Sequence, residues 1–556
     1  MSTTHPSLSL GSPRFSDARL AGLAKSQGPL AAWHEALAKS PKVAAAGITG
    51  DFAVGLRRPD GHTVLMVDRF AIQTLCYRVV GGQLQFAAGA DELADFGTEV
   101  DPQAIFDYLY FHVIPSPRTI YKGIFRLPPG HYALFENGRL TVEPYWVPTF
   151  DEHHGGSFDD LKDEFRQLLR GAVASQLDGS KPACFLSGGT DSSTVAGMMA
   201  QASETTVAAY SIGFDAQGYD EMEFARIAAK HFRTEHHEYY VTPDDLVRGI
   251  PAIAAHYDQP FGNSSALPAY YCAKLARDDG VTKLLAGDGG DELFGGNSRY
   301  AKQRIFGWYG KVPDVLKRTL VEPSLGTRAA GAFSLTRKAS SYVEQARVPM
   351  PDRLQMYNLI MRLGAAEVLT PTLMAQIDTS IPLQLQRQVW LANANCSHLN
   401  MELAFDWRFT LAECDLPKVR GATSLACVGV GFPMLDDQLL AFSLKLPNAY
   451  KVKGLQLRWF FKEALRGFLP DAVLAKKKQG FGLPFGVWAN STPKLMALAK
   501  DSLNGLAARG VVRADFVQIL LAKRLPEHPA YFGEMVWILM MLEQWLRAKL
   551  PSYRQP

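Results

Sequence analysis

Along residues 1–150, short apolar runs alternate with turn signals: GDFAVGL, HTVLMVDRF, LQFAAGA and HYALFENGRLTVEPYW. Apolar positions repeating about every two residues, broken by Gly, Asn-Gly and Pro, predict short strands joined by hairpins, because side chains alternate faces along a strand. Asn137-Gly138, between HYALF and RLTV, is the strongest hairpin signal, since both residue types tolerate the left-handed backbone of a tight turn. The pattern stops at the polar stretch PTFDEHHGGS, residues 148–157, which reads as a linker between a domain at 1–150 and a second at 158–550.

Beyond the linker the period changes. FDDLKDEFRQLLRGAVASQL reads as a helix, Ala183–Leu186 as a buried strand, and a Gly-rich turn then leads into a second helix. VAAYSIGF, HEYYV and the KLLA of KLARDDGVTKLLAGDGGDE read as further strands separated by helices such as EFARIAAKHF. Strands alternating with helices at this spacing predict a parallel sheet covered on both faces. After about Tyr300 the pattern is mostly helical, and no internal repeat or low-complexity segment interrupts it. The fold class is therefore α/β: a β-rich α+β sandwich first, then a Rossmann-like parallel sheet with additional helices.

Composition adds exclusions. The 556 residues carry 58 Lys+Arg against 55 Asp+Glu, a net charge of +3, with 47% hydrophobic and 20% charged residues. That is ordinary globular composition, and it excludes a disordered chain, a collagen-like chain or a small disulfide scaffold. It supplies no general drive toward nucleic acid or anionic membranes, so neither is expected as a partner. The 6 cysteines show no CxxC or metal-ligand spacing and read as buried free thiols in a reducing compartment. MSTTHPSLSLGSPRF lacks the pattern of a secretory signal, and the longest apolar run, Met535–Leu542, is far short of the ~20 residues a bilayer requires. A cytoplasmic location and a buried C-terminal helix are expected.

The strongest chemical signal is Ser187-Gly188-Gly189-Thr190-Asp191-Ser192-Ser193, directly after the strand at Ala183. Glycines let the backbone approach a polyphosphate, and free N–H groups at a helix start supply positive potential to which hydroxyls add donors. No lysine is present to reach a terminal phosphate, unlike the Walker A loop. Asp191 would repel phosphate unless a cation lay between them, so it reads as a Mg²⁺ ligand.

This heptad resembles the PP-loop of the ATP-pyrophosphatases, which release pyrophosphate and transfer AMP to substrate. Gly287-Asp288-Gly289-Gly290-Asp291-Glu292-Leu293-Phe294-Gly295-Gly296 resembles the SGEGxDExFGGY motif of asparagine synthetases. Asp258-Gln259-Pro260 followed by SSALPAYY, the stretches Asp406–Arg420 and Pro433–Asp437, and the KxGFxxP-like loop from Lys476 through Lys478 to Pro484 occur in the same order as in that family. The resemblance implies ATP and Mg²⁺ as cofactors, with nucleotide contacts from Ser187, Gly188, Gly189, Thr190, Asp191, Ser192 and Ser193. Ile212, Asp258, Gly287 and Gly289 are implied to join them. Asp191 and Asp291 would hold the metal, and Lys478 would neutralise charge on pyrophosphate and the tetrahedral intermediate. Lys476 and Lys477 read as a solvated face. Asp288 occupies the position of a Glu in asparagine synthetases and a Tyr in β-lactam synthetases, so it is the candidate specificity residue.

The first domain resembles the class II glutamine amidotransferase domain of those enzymes, an Ntn-hydrolase-like fold, through Gly50–Ala53, Asp68-Arg69-Phe70 to Tyr77, and Ile114 to His131. Glutaminase activity there needs a cysteine directly after the initiator Met, and here Ser2 follows Met1 while the RGPD glutamine motif is absent. The domain is therefore expected to be an inactive remnant. VGVGFPMLD stands where asparagine synthetases carry VEARVPFLD, placing glycines at 429 and 431 for a Glu and an Arg. This suggests a roomier acceptor pocket, with Glu413 as a replacement carboxylate. The expectation is an ATP-dependent ligase that adenylates a carboxylate and joins it to an amine. Among relatives without the cysteine, lasso peptide cyclases are the nearest model, implying a peptide macrolactam with a precursor-processing protease and a leader-binding protein as partners. The alternative is amidation of a small acid with ammonia or another amine.

Overall fold

The computed structural model describes residues 7–152, 155–216, 218–310, 342–477 and 482–555. In the N-terminal region a five-stranded antiparallel sheet runs in the order Leu8–Gly11, Phe52–Arg57, Thr63–Val67, His131–Glu136, Arg139–Pro144. The predicted hairpin closes it, with Asn137 and Gly138 at φ +51° and +75°. A three-stranded sheet of Gln83–Ala87, Cys76–Val80 and Phe125–Arg126 packs against it through one core containing Ala53, Leu65, Leu84 and Phe86. The sheets approach so closely that a Cβ on Gly55 would lie 2.4 Å from the Phe86 ring.

Three helices that strand patterning concealed, Ala18–Gln27, Pro29–Ala36 and Pro41–Ala45, cover the outer face. Trp33 is fully buried there, its ring 5.1 Å from Phe52 and 5.3 Å from Phe15. A fourth, Pro102–Phe111, is buried nearly all round because it packs into the core of the C-terminal half, where Tyr108 donates to the Ile538 carbonyl at 2.8 Å.

The second region is built on a five-stranded sheet, wholly parallel, in the order Glu235–Val241, Ala208–Phe214, Ala183–Phe185, Lys283–Leu285, Gly429–Gly431. Its central strands are apolar on both faces, as a sheet covered on both sides requires. Phe158–Ala174 and Thr190–Ala202 cover one face through Phe165, Leu169 and Val195, and Ala266–Asp278 covers the other through Cys272, Ala273 and Ala276. Ala183–Phe185 lies between the strands that follow it in opposite directions across the sheet, so its C-terminal end opens at a switch point, where such sheets bind ligands.

The apolar run Met535–Leu542 forms part of the buried helix Pro529–Lys549, whose Trp537 and Trp545 indoles donate to Gly262 and Tyr257 carbonyls at 3.0 Å. Among the described residues no helix is long and apolar enough to cross a membrane. The expected polar linker is tied down: Glu152 accepts from Ser397 N, Asn400 Nδ2 and Asn448 Nδ2 at 2.8, 2.6 and 3.1 Å.

Candidate active site

Ala183–Phe185 ends in the Ser/Gly turn, and the helix Thr190–Ala202 starts at its far side. Gly188 has φ +70°, and a Cβ there would strike Ala225 N at 2.4 Å, so no other residue fits. Ser192 fixes the turn: its hydroxyl accepts from Ser187 N at 3.1 Å and lies 3.0 Å from Ser187 Oγ. A cleft of about 1230 Å³ opens above, lined by Ser187, Gly189, Thr190, Asp191 and Ser192 together with Ile212, Gly287 and Gly289. Two residues of the heptad sit behind that surface. Gly188 backs onto the helix Met222–Phe232, and Ser193 is fully buried with a hydroxyl that finds no partner among the described residues.

Asp191 and Asp291, far apart in sequence, converge on the Arg458 guanidinium, which pairs with Asp191 and approaches Asp291 Oδ1 at 3.1 Å. Arg458 also donates to Thr190 Oγ1 at 2.6 Å and lies 4.3 Å from the Phe461 ring. Its φ of +55° is unusual for a non-glycine residue, and such strain persists where the surroundings over-determine the conformation. Glycines make room for the carboxylates: a Cβ on Gly290 would meet Asp191 Oδ1 at 2.3 Å, and one on Gly296 would meet Asp291 Oδ1 at 1.7 Å. Two carboxylates facing a phosphate loop match the usual way Mg²⁺ is held, with phosphate oxygens completing its shell. Among the described residues no three His, Cys, Asp or Glu side chains gather as a separate metal site.

The cleft continues into an acidic lobe. Lys418 Nζ bridges Asp288 Oδ1 at 3.2 Å and Asp415 Oδ1 at 3.1 Å. Burial raises the Asp288 carboxyl above the ordinary range despite this lysine. The lysine's own value rises because its two carboxylates outweigh the burial that opposes its charge. Glu292, only 7% exposed, lines the same lobe. Burial, then the charges of Asp291 and Asp415, push it well above its usual value.

Other expected residues lie elsewhere. Glu413 is buried behind the lobe against Arg126, Arg408 and Ser116, so it is no acceptor-side carboxylate. Asp258 is outside the cleft too, its carboxylate accepting from Ala90 N at 2.9 Å. Gly429 and Gly431 belong to the sheet's edge strand and line no part of the cleft; the space beside Gly431 is filled by Gln176 and Leu285. They do not enlarge the pocket. Lys476 is not a solvated residue: it pairs with Glu221 at 3.0 Å over the Phe224 ring, while Lys477 lines the cleft. Lys478 lies outside the described residues, as does Ser2. Arg458, which organises both carboxylates, carries no sequence signal, since QLRWF reads as an ordinary helix start. Asp415 and Lys418 sit inside the helical stretch singled out in the sequence, where their spacing of three was the available clue.

The family model for asparagine synthase matches residues 164–547. The chain belongs to the asparagine synthase family. It is accordingly a ligase of a family that uses ATP. A glutamine amidotransferase domain model matches residues 35–146, which carry four of the five strands of the antiparallel sheet. Asparagine synthetase [glutamine-hydrolyzing] 1 of Bacillus subtilis is 24% identical over 90% of this chain and 78% of its own length. A putative asparagine synthetase of Mycobacterium tuberculosis is 26% identical over 71% of this chain and 60% of its own. One from Methanocaldococcus jannaschii is 33% identical over 39% of this chain and 42% of its own.

Proposed function

We propose that this family member adenylates a substrate carboxylate, releasing pyrophosphate, and passes the acyl group to an amine. The observation that carries the reading is the convergence of Asp191 and Asp291 on Arg458, between the phosphate loop and the acidic lobe. Ser187, Gly189, Thr190 and Ser192 present donors to the β- and γ-phosphates. Asp191 and Asp291 would hold Mg²⁺, which when bound neutralises charge on the departing pyrophosphate. Arg458 keeps the two carboxylates together and adds a fixed positive charge beside them. Attack of the carboxylate oxygen on the α-phosphorus forms an acyl-adenylate, and attack of the amine nitrogen on its carbonyl carbon then expels AMP. Lys478 keeps its proposed role in stabilising that charge. Asp288 and Asp415, bridged by Lys418, suit an amine that arrives as an ammonium ion and gives up its proton to a carboxylate there.

Within this chemistry we take the acceptor to be a peptide closed to a macrolactam, as in lasso peptide cyclases, with a processing protease and a leader-binding protein as partners. The absence of the RGPD glutamine motif supports it, since an amine that is not made in place as ammonia has to come with the substrate. A second reading, amidation of a small acid with ammonia, is favoured by relatives whose names are asparagine synthetases. Isotope tracing tests the shared chemistry: the spent nucleotide is AMP, with pyrophosphate, and a product of ADP and phosphate would eliminate both readings. Glutamine should yield no glutamate, because the RGPD glutamine motif is absent from the amidotransferase-like region.

A further inference from the structure

The two expected site residues displaced from the cleft, Glu413 and Asp258, both lie in the seam between the N-terminal region and the synthetase sheet. Glu413 accepts from Ser116 N at 3.1 Å and Ser116 Oγ at 2.6 Å, and pairs with Arg126, which also donates to the Ile114 carbonyl at 2.8 Å. Arg408, one turn before Glu413, closes the knot on Glu413 and on the Ser116 carbonyl at 2.5 Å. Farther along, Arg420 reaches back to the Ile72 carbonyl at 2.7 Å and Thr74 Oγ1 at 2.9 Å.

All these anchors grip one rod, the continuous helix of His398–Asp406, Trp407–Asp415 and Leu416–Leu425. Its middle stretch is wound with five-residue hydrogen bonds, the Leu416 N–H reaching the Leu411 carbonyl, a widened turn found mostly where function constrains a helix. Glu413 and Asp415, two residues apart, leave opposite sides of that helix. The first meets the N-terminal region, and the second meets Lys418 in the cleft. A buried ion pair is a poor stability device, because desolvation opposes its attraction; fixing one arrangement is its better-supported use.

We infer that the N-terminal region is a positioning clamp: Arg126 and Ser116, acting through Glu413, and Arg420 acting at Ile72 and Thr74, hold the helix so that Asp415 and Lys418 face Asp288. The clamp's purpose rests on the ligase reading of the lobe; its mechanics do not. Arg126, Ser116, Glu413 and Arg420 are positioning residues, none of them lining the cleft.

The test follows hydrogen–deuterium exchange in the full chain as wild type, Arg126→Met, Arg126→Lys and Ser116→Ala, with ATP·Mg²⁺ affinity measured alongside. Amides of residues 407–425 should exchange about tenfold faster in Arg126→Met. Arg126→Lys should restore most of that protection, and Ser116→Ala should loosen the same segment less. Peptides from 183–193 and the ATP affinity should stay within about twofold of wild type. Should Arg126→Met fail to fold, Arg420→Met probes the separate anchor, with faster exchange confined to 416–425. Unchanged exchange at 407–425 in every folded variant, or acceleration shared equally by 183–193, overturns the clamp. Absence of ATP binding to wild type would instead sink the ligase reading and leave the clamp standing.

Discussion

Replacing Arg458 by Met removes the cation that, among the described residues, joins Asp191 to Asp291 across the phosphate site. The side chain is 7% exposed, while those of Asp191 and Asp291 are 18% and 20% exposed. The variant therefore leaves two carboxylates facing each other in a largely dry site, and Thr190 loses its 2.6 Å donor. A charge-assisted hydrogen bond contributes about 1.5–3 kcal/mol. At 1.4 kcal/mol per tenfold, loss of one such bond, here the guanidinium's hold on Thr190 of the phosphate loop, weakens ATP binding roughly ten- to 150-fold. With less positive charge beside the carboxylates, binding should also depend more steeply on Mg²⁺, which then carries more of the charge neutralisation. Breaking a buried pair costs about 3–5 kcal/mol; partial solvent access puts this one at the lower end, and Mg²⁺ should recover much of it. Arg458→Lys, which keeps the charge without the planar fork, should fall between. Calorimetric titration with ATP at several Mg²⁺ concentrations reads the binding effects and thermal unfolding reads the stability. An ATP affinity within threefold of wild type, with unaltered Mg²⁺ dependence, would refute the assignment.

Two further substitutions carry signs that can be checked. Lys451 is fully buried, donating to Asn400 Oδ1 at 3.1 Å, and burial lowers it to about 7 from 10.5. A base depressed in the folded state costs stability wherever the unfolded chain holds the proton, and in full where the folded chain must hold it too. The penalty is complete below about pH 7 and fades as pH approaches 10.5, with an upper bound near 5 kcal/mol at 1.36 kcal/mol per unit. Lys451→Met should therefore be more stable than wild type in denaturant titrations at pH 6.5, with the gap narrowing by pH 9.5; a constant gap would refute it. Lys418→Met strips the cation from Asp288, so that carboxyl rises further and the variant loses stability as pH climbs from 5 to 8. Its ATP affinity should hold within about threefold while amide formation falls at least about a hundredfold; equal loss of both would contradict the separation of phosphate site and acidic lobe.

Much of the fold was legible because local patterning and covering layers agree. The Asn137-Gly138 hairpin, the strands at 183, 208, 235 and 283, and the buried C-terminal helix each follow from period and turn chemistry. The helices at 18–45 were not, since a run such as PLAAWHEA has weak periodicity and is held by Trp33 entering a core built from distant strands. In the site, the Ser/Gly loop and the Gly-Asp motif declare themselves because a phosphate must be approached by backbone, which demands glycine at fixed spacing. Glu413 misses the cleft because sequence neighbourhood places a residue on an element without saying which face it occupies, and one step of two positions along a helix separates the seam from the lobe; the expectation for Asp258 rests on a motif resemblance, which does not record that its carboxylate caps Ala90 N.

The chain's own order of residues determined the two architectures, the phosphate loop and the candidate metal carboxylates, all set by contacts within a few residues or by alternation along one element. Tertiary structure alone decided that Arg458 sits between Asp191 and Asp291, that Lys418 bridges Asp288 and Asp415, and that Glu413 turns away toward Arg126. Charge pairing acts through space between elements more than a hundred residues apart, and no periodicity along the chain records which of them will meet.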